Sequence, residues 1–279
     1  MTIVVTGATG HLGRLAIDHL LARGVAASDI VAAGRSTEKL AAVAAETGVR
    51  TTVVDFTDPA TLDAAFADAD ALAFVSSSEV GQREAQHRNV VDAAARAGIA
   101  RLVYTSAPAA TDTALILAPD HAFTERAIEA AGIPAVILRN GWYNENYAGS
   151  FEQARATGAY TASTGAGRVS SAARTDYAEA IAAVLTSDGH LGEVYELSGD
   201  TAWDGAEFAA VASEVLGTPI VFNDVTPEEH RAILLAAGLD EGTAGFVVAL
   251  DGNIRDGLLG HTPGDLSRLI GHPTTPLAT

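Results

Sequence analysis

Met1-Thr-Ile-Val-Val-Thr-Gly-Ala-Thr-Gly-His-Leu-Gly13 is the stretch that decides the fold. Ile3 to Val5 form the β-branched run of a buried parallel strand, and the chain breaks from it directly into Gly7, Gly10 and Gly13. Gly7 permits a sharp turn, Gly10 lets the backbone approach a pyrophosphate, and Gly13 lets the next helix pack close to the strand. That helix, expected over Leu12 to Arg23, directs its unpaired N-terminal amides and positive dipole end at the phosphates. A strand before the glycines and an amphipathic helix after them supply the context that a nucleotide-binding turn requires.

The second strand, Asp29 to Ala33, ends in Gly34-Arg35-Ser36. An acid at this junction would accept hydrogen bonds from the adenosine ribose hydroxyls of NAD. Arg35 stands there instead, and a guanidinium pairs with a 2′-phosphate, which favours NADP(H). Next come a helix over Ser36 to Thr47, a strand over Arg50 to Val54, and a turn, Asp55-Phe56-Thr57-Asp58-Pro59, that caps the following helix. Asp55 and Phe56 sit where such folds meet the adenine. Ala71 to Val75 is the fourth strand, with Ser76, Ser77 and Ser78 at its carboxyl end, where an open α/β sheet forms its ligand crevice.

A helix over Gly81 to Ala97 carries Gln86, His87 and Asn89, and the strand Arg101 to Thr105 ends in Tyr104-Thr105-Ser106. A helix over Pro119 to Ala131 holds His121 and Glu125, and Ala135 to Leu138 is a further strand. Strands alternating with helices of this length predict an α/β protein, a Rossmann-like doubly wound parallel sheet. Residues 1–148 read as the dinucleotide-binding domain. Segment 174–198, with a helix over Thr175 to Leu185 and a strand over Val194 to Leu197, returns to it.

Regular alternation then stops. Arg139-Asn-Gly-Trp-Tyr-Asn-Glu-Asn-Tyr147 is a polar and aromatic loop at a strand end, and Tyr160 to Arg168 is rich in Gly, Ser and Thr. Both suit a substrate wall or an ordered structural loop. Residues 149–173 and 199–279 are expected as a smaller C-terminal α/β substrate-side domain. It has a helix over Trp203 to Leu216, a strand-like Pro219 to Asp224 and a helix over Pro227 to Ala237.

With 48% hydrophobic residues in 279, the chain has material for a sizeable core. A net charge of −18 and a single lysine, Lys39, argue against nucleic acid or an anionic membrane as partner. The absence of cysteine excludes disulfides, thiolate metal sites and thiol chemistry, and no metal is expected. There is no basic leader and no apolar run of spanning length, so the expectation is a soluble cytoplasmic protein, monomer or homodimer.

These pieces resemble the NmrA-like branch of the atypical short-chain dehydrogenase/reductase superfamily, and within it the type 2 NAD(P)H:quinone oxidoreductases. The blocks carrying the resemblance are Thr6 to Gly13, Ser76 to Arg83, Gln86 to Val90, Tyr104 to Ser106, Leu138 to Tyr147 and Leu269 to Thr275. The resemblance implies that Gly7, Thr9, Gly10, His11, Leu12 and Gly13 meet the pyrophosphate and nicotinamide side, and Arg35 the 2′-phosphate. It places Ser76, Ser77 and Ser78 at the ribose; Asp55, Phe56, Tyr104 and Thr105 are further expected cofactor contacts. Asn140, Trp142, Tyr143 and Asn146 would border the nicotinamide and substrate. His11 departs from the pattern, which has glutamine there.

Typical short-chain dehydrogenases protonate a developing alkoxide with a Tyr-x-x-x-Lys pair, which cannot exist here because the lone lysine is Lys39. The equivalent helix offers His121-x-x-x-Glu125, an i,i+4 pair that reads either as a positioned proton donor or as a surface pair. His121, Asn140 and Tyr143 are the candidate catalytic residues. A quinone needs less help than a ketone, since its hydroquinone anion is only modestly basic. The expected reaction is direct hydride transfer from NADPH to a quinone-like acceptor, governed by proximity and orientation. The competing expectations are a non-catalytic NADP(H)-binding redox sensor of the NmrA type and a reductase of azo or triarylmethane dyes.

Overall fold

The computed structural model describes residues 1–77, 79 and 81–279; Ser78, one of the expected ribose contacts, lies outside them. Seven strands form one parallel sheet: β1 (Ile3–Val5), β2 (Ile30–Gly34), β3 (Arg50–Val53), β4 (Ala71–Phe74), β5 (Arg101–Ser106), β6 (Ala135–Asn140) and β8 (Val194–Leu197). They lie in the order β3-β2-β1-β4-β5-β6-β8, so the sheet reverses direction of growth between β1 and β4. Ligands of open α/β sheets bind outside the strand ends at that switch point.

Period-two alternation sorts the strand side chains onto two faces. Ile3 and Val5 face a core shared with α1 (His11–Ala22), α2 (Thr37–Thr47) and α7 (Arg174–Thr186). Val4 faces a second core with α3 (Pro59–Phe66), α4 (Arg83–Ala97) and α5 (Ala118–Ala130). The inner strands β1, β2, β4 and β5 are buried on both sides, which is why they read as largely apolar runs, whereas β3 at one edge is mostly exposed and carries Arg50, Thr51 and Thr52.

A second layer follows β6. Helix α6 (Ala148–Thr157) and α8 (Gly205–Leu216) pack with the parallel pair β7 (Ala159–Ala162) and β9 (Val221–Asp224) around Tyr147, Tyr160, Trp203 and Phe208. Helices α9 (Pro227–Ala236) and α10 (Glu241–Arg255) continue this lobe. Helix α11 (Asp265–Ile270) returns to α7 and β8, so part of the expected smaller unit packs with the large sheet. Among the described residues no helix is long and apolar enough to cross a membrane.

Candidate functional site

The glycine turn is built as its sequence requires. Gly7 adopts φ +63°, a left-handed conformation that suits glycine, and a Cβ on Gly13 would stand 2.4 Å from the Gly7 carbonyl oxygen. No side chain caps the start of α1, whose N-cap is Gly10, so its first-turn amides remain available to an anion.

This turn opens onto a crevice of 520 Å³ along the carboxyl ends of β1, β2, β3 and β4. Gly7, Thr9, Gly10, His11, Leu12 and Gly13 line it from the first turn, Arg35 from the second, Asp55 and Phe56 from the third, and Ser76 and Ser77 from the fourth. Sequence reasoning missed four polar members of its wall: Lys39 and Gln86 on helices, Glu79 after β4, and Arg174 at the start of α7. Three of the chain's 17 Lys and Arg line it, Arg35, Lys39 and Arg174, beside the carboxylates of Asp55 and Glu79. Arg174 arrives from a distant crossover, and no local sequence signal announces it.

The Asp55 carboxylate is committed to its own turn. It accepts the Thr57 N–H at 2.8 Å and the Thr57 hydroxyl at 2.7 Å, bonds that hold it below the usual carboxylate range. Phe56 packs edge-on against Phe74, with ring centroids 5.8 Å apart.

Ser77 is held from behind by two side chains of α4. Its N–H donates to Nε2 of His87 at 3.1 Å, and its carbonyl accepts Nε of Arg83 at 2.7 Å. Because Nε2 of His87 accepts, the proton sits on Nδ1, which donates to the Thr124 hydroxyl at 2.8 Å. Ser76 is fixed similarly, its N–H donating to Oγ1 of Thr105 at 2.9 Å. Tyr104 is fully buried and bonds Nδ1 of His121 at 2.8 Å, so it stands behind the crevice wall.

His121 and Glu125 do not pair with each other, and neither is a surface group. Both are buried, and His121 takes Arg83 at 3.5 Å on Nε2 while Glu125 takes Arg139 at 2.7 Å and Ser106 at 2.5 Å. Burial, then the Arg83 charge, pushes His121 down to about 3. The ring is therefore neutral at physiological pH and is not an acid there; it lines neither the crevice nor the larger cavity described below.

Asn140 is buried at the end of β6, its Nδ2 donating to the Tyr143 hydroxyl at 3.1 Å. Its Oδ1 has no hydrogen-bond partner, and neither has Oγ of Ser77. Buried polar atoms without partners are costly, and these two, Ser77 in the crevice wall and Asn140 at the end of β6 next to Gly141, suit hydrogen-bonding ligand groups. Tyr143 packs edge-on against Tyr177 at 5.0 Å, under the Arg174 guanidinium. Trp142 packs against the core of the second lobe and Asn146 is exposed, so the polar-aromatic loop is largely packing material.

A larger cavity of 880 Å³ begins where β6 ends, at Gly141. The segment from Pro108 to Ala114 forms one wall, and Ser198, Leu258, Leu259 and His261 line it from elsewhere in the chain. Ala109 adopts φ +46°, uncommon for a residue with a Cβ, and its N–H donates to Glu196 at 3.1 Å. Arg139 joins Glu196 at 2.9 Å and the Thr111 hydroxyl at 2.9 Å, which fastens this wall to β6 and β8.

Comparison with known proteins agrees with this geometry. A sequence-family profile described as NAD(P)H-binding matches residues 7–188. The chain is 41% identical to quinone oxidoreductase 2 of Escherichia coli (strain K12) over 276 residues, covering 99% of this chain and 96% of that one. The crystal structure of the NADPH-dependent quinone oxidoreductase of Escherichia coli complexed with NADPH superposes with a TM-score of 0.95 at 41% identity, covering 99% of this chain and 97% of that one. Triphenylmethane reductase of Citrobacter sp., complexed with NADP(H), gives a TM-score of 0.91 at 38% identity, covering 99% and 98% of the two chains. The chain belongs to the NAD(P)H-binding, NmrA-like family.

Proposed function

We propose that this protein is an NADPH-dependent oxidoreductase that passes a hydride to a quinone or a similar planar conjugated acceptor. The observation that carries the reading is the 41% identity to Escherichia coli quinone oxidoreductase 2 over 99% of the chain. The glycine turn, the crevice cations and the unpartnered Ser77 and Asn140 atoms support it.

In this reading the first-turn amides of α1 and Arg174 hold the pyrophosphate, and Arg35 with Lys39 takes the 2′-phosphate. Asp55 and Phe56 border the adenine, Ser76 and Ser77 the ribose, and Asn140 offers Oδ1 to the carboxamide. The nicotinamide, when bound, supplies the hydride. The acceptor occupies the cavity that starts at Gly141, beside Asn140, and its developing oxyanion takes a proton from water. Residues 1–148 with 174–198 act as the dinucleotide-binding unit, and the second lobe closes the acceptor side. His121 and Tyr104 support Arg83 and Ser77 from within rather than meeting the acceptor. Rate comes from proximity and orientation. A cytoplasmic monomer or homodimer completes the proposal, in keeping with a cysteine-free chain.

Steady-state oxidation of NADPH and of NADH with benzoquinone tests it. Turnover with NADPH preferred supports the reading. Tight NADPH binding without turnover on any quinone or dye overturns it. The 38% identity to triphenylmethane reductase favours dyes as a second acceptor class, so malachite green belongs in the same assay.

A further inference from the structure

The crevice carries an acid that the β2 end lacks. NH1 of Arg35 donates to Oε1 of Glu79 at 2.5 Å, and Oε2 of Glu79 accepts Nε2 of Gln86 at 2.7 Å. Both Arg35 and Glu79 line the crevice, although 44 residues separate them in sequence. The two bonds fix a carboxylate against Arg35, the residue that the proposed function gives to the 2′-phosphate. They also hold Glu79 below the usual carboxylate range, so it is charged at neutral pH.

We propose that Glu79 sets the balance between the two dinucleotides, standing in for the 2′-phosphate on Arg35 and accepting the ribose 2′-hydroxyl when no phosphate is present. The inference rests on the reading of this crevice as the dinucleotide site. A 2′-phosphate arriving at Arg35 meets a carboxylate already bound there, and like charges repel at this range. It binds by displacing Glu79, and part of its gain is lost. NADH brings no phosphate, and its hydroxyl can donate to Glu79 while the Arg35 pair stays intact. Gln86 is the positioning residue that keeps the carboxylate in place. Because Arg35 is 66% exposed, the pair itself costs little to open, so Glu79 narrows the preference for NADPH without reversing it.

Calorimetric titration of NADPH and NADH into wild type, Glu79→Gln and Glu79→Ala tests this without turnover. Both variants are expected to bind NADPH about tenfold more tightly and NADH more weakly. Agreement between the amide and the truncated variant assigns the effect to the charge. If both dinucleotides bind but neither variant changes the ratio of affinities, the role of Glu79 is overturned and the crevice assignment stands. If neither dinucleotide binds wild type or variants, the crevice assignment fails and the inference with it.

Discussion

Nε2 of His87 accepts the backbone N–H of Ser77 at 3.1 Å, so a ring buried in α4 holds the wall of the crevice at the β4 end. That bond exists only while Nε2 is unprotonated. Burial, followed by the charges of His121 and Arg83, pushes His87 down to about 3, and His121 lies at a similar value. Both folded-state values lie below the ordinary 6.5, so the unfolded chain binds more protons between these limits. The stability that depends on neutral rings is fully present above that ordinary value and is lost as pH falls towards 3. The expected result is a urea midpoint that drops from pH 7 to pH 4 more steeply in wild type than in His121→Phe. Equal slopes would refute it.

Gly13→Ala places a Cβ 2.4 Å from the Gly7 carbonyl oxygen, so either α1 or the turn must shift. Chemical denaturation should show a loss of about 2–3 kcal/mol. NADPH titration should show a larger proportional loss in affinity than Gly10→Ala, where the added atom lies 3.3 Å from the same oxygen.

On the proposed reading, Arg35→Ala removes a charge-assisted contact to the 2′-phosphate. NADPH binding should weaken by about 1–3 kcal/mol while NADH binding stays nearly unchanged, as read by calorimetry. Equal changes in both would contradict the assignment.

Ala114 lies on the exposed rim of the 880 Å³ cavity. Ala114→Trp puts an indole into that space without disturbing the buried core. The KM for benzoquinone should rise about tenfold while the Kd for NADPH is unchanged. An unchanged KM would place the acceptor elsewhere.

What the sequence disclosed was local. The glycine turn was legible because strand, glycines and helix are consecutive, and Arg35 because it closes β2. Helix α10 was not, since Gly242, Gly245 and Gly252 interrupt its helical pattern, and it is held by the Asp240 cap and tertiary packing. Arg174 reaches the crevice only through the fold, and Glu79, although it follows the serines of β4, meets Arg35 only because the fold brings together residues 44 apart. The i,i+4 spacing of His121 and Glu125 was visible, but their partners Tyr104, Ser106 and Arg139 come from β5 and β6. Aromatic content alone does not separate pocket from core: Tyr147, expected in a substrate wall, packs against Trp203 at 4.6 Å.

The C-terminal segment carries a consequence for synthesis. The N–H and hydroxyl of Thr275 bond Asp176 at 2.7 and 2.8 Å, and α11 covers α7. On the ribosome, β6 keeps an open edge until residue 197 emerges, and α7 waits for its cover until α11 follows. The sheet that β1 begins is thus completed only once β8 and α11 have been made, and the nascent chain must stay protected until then.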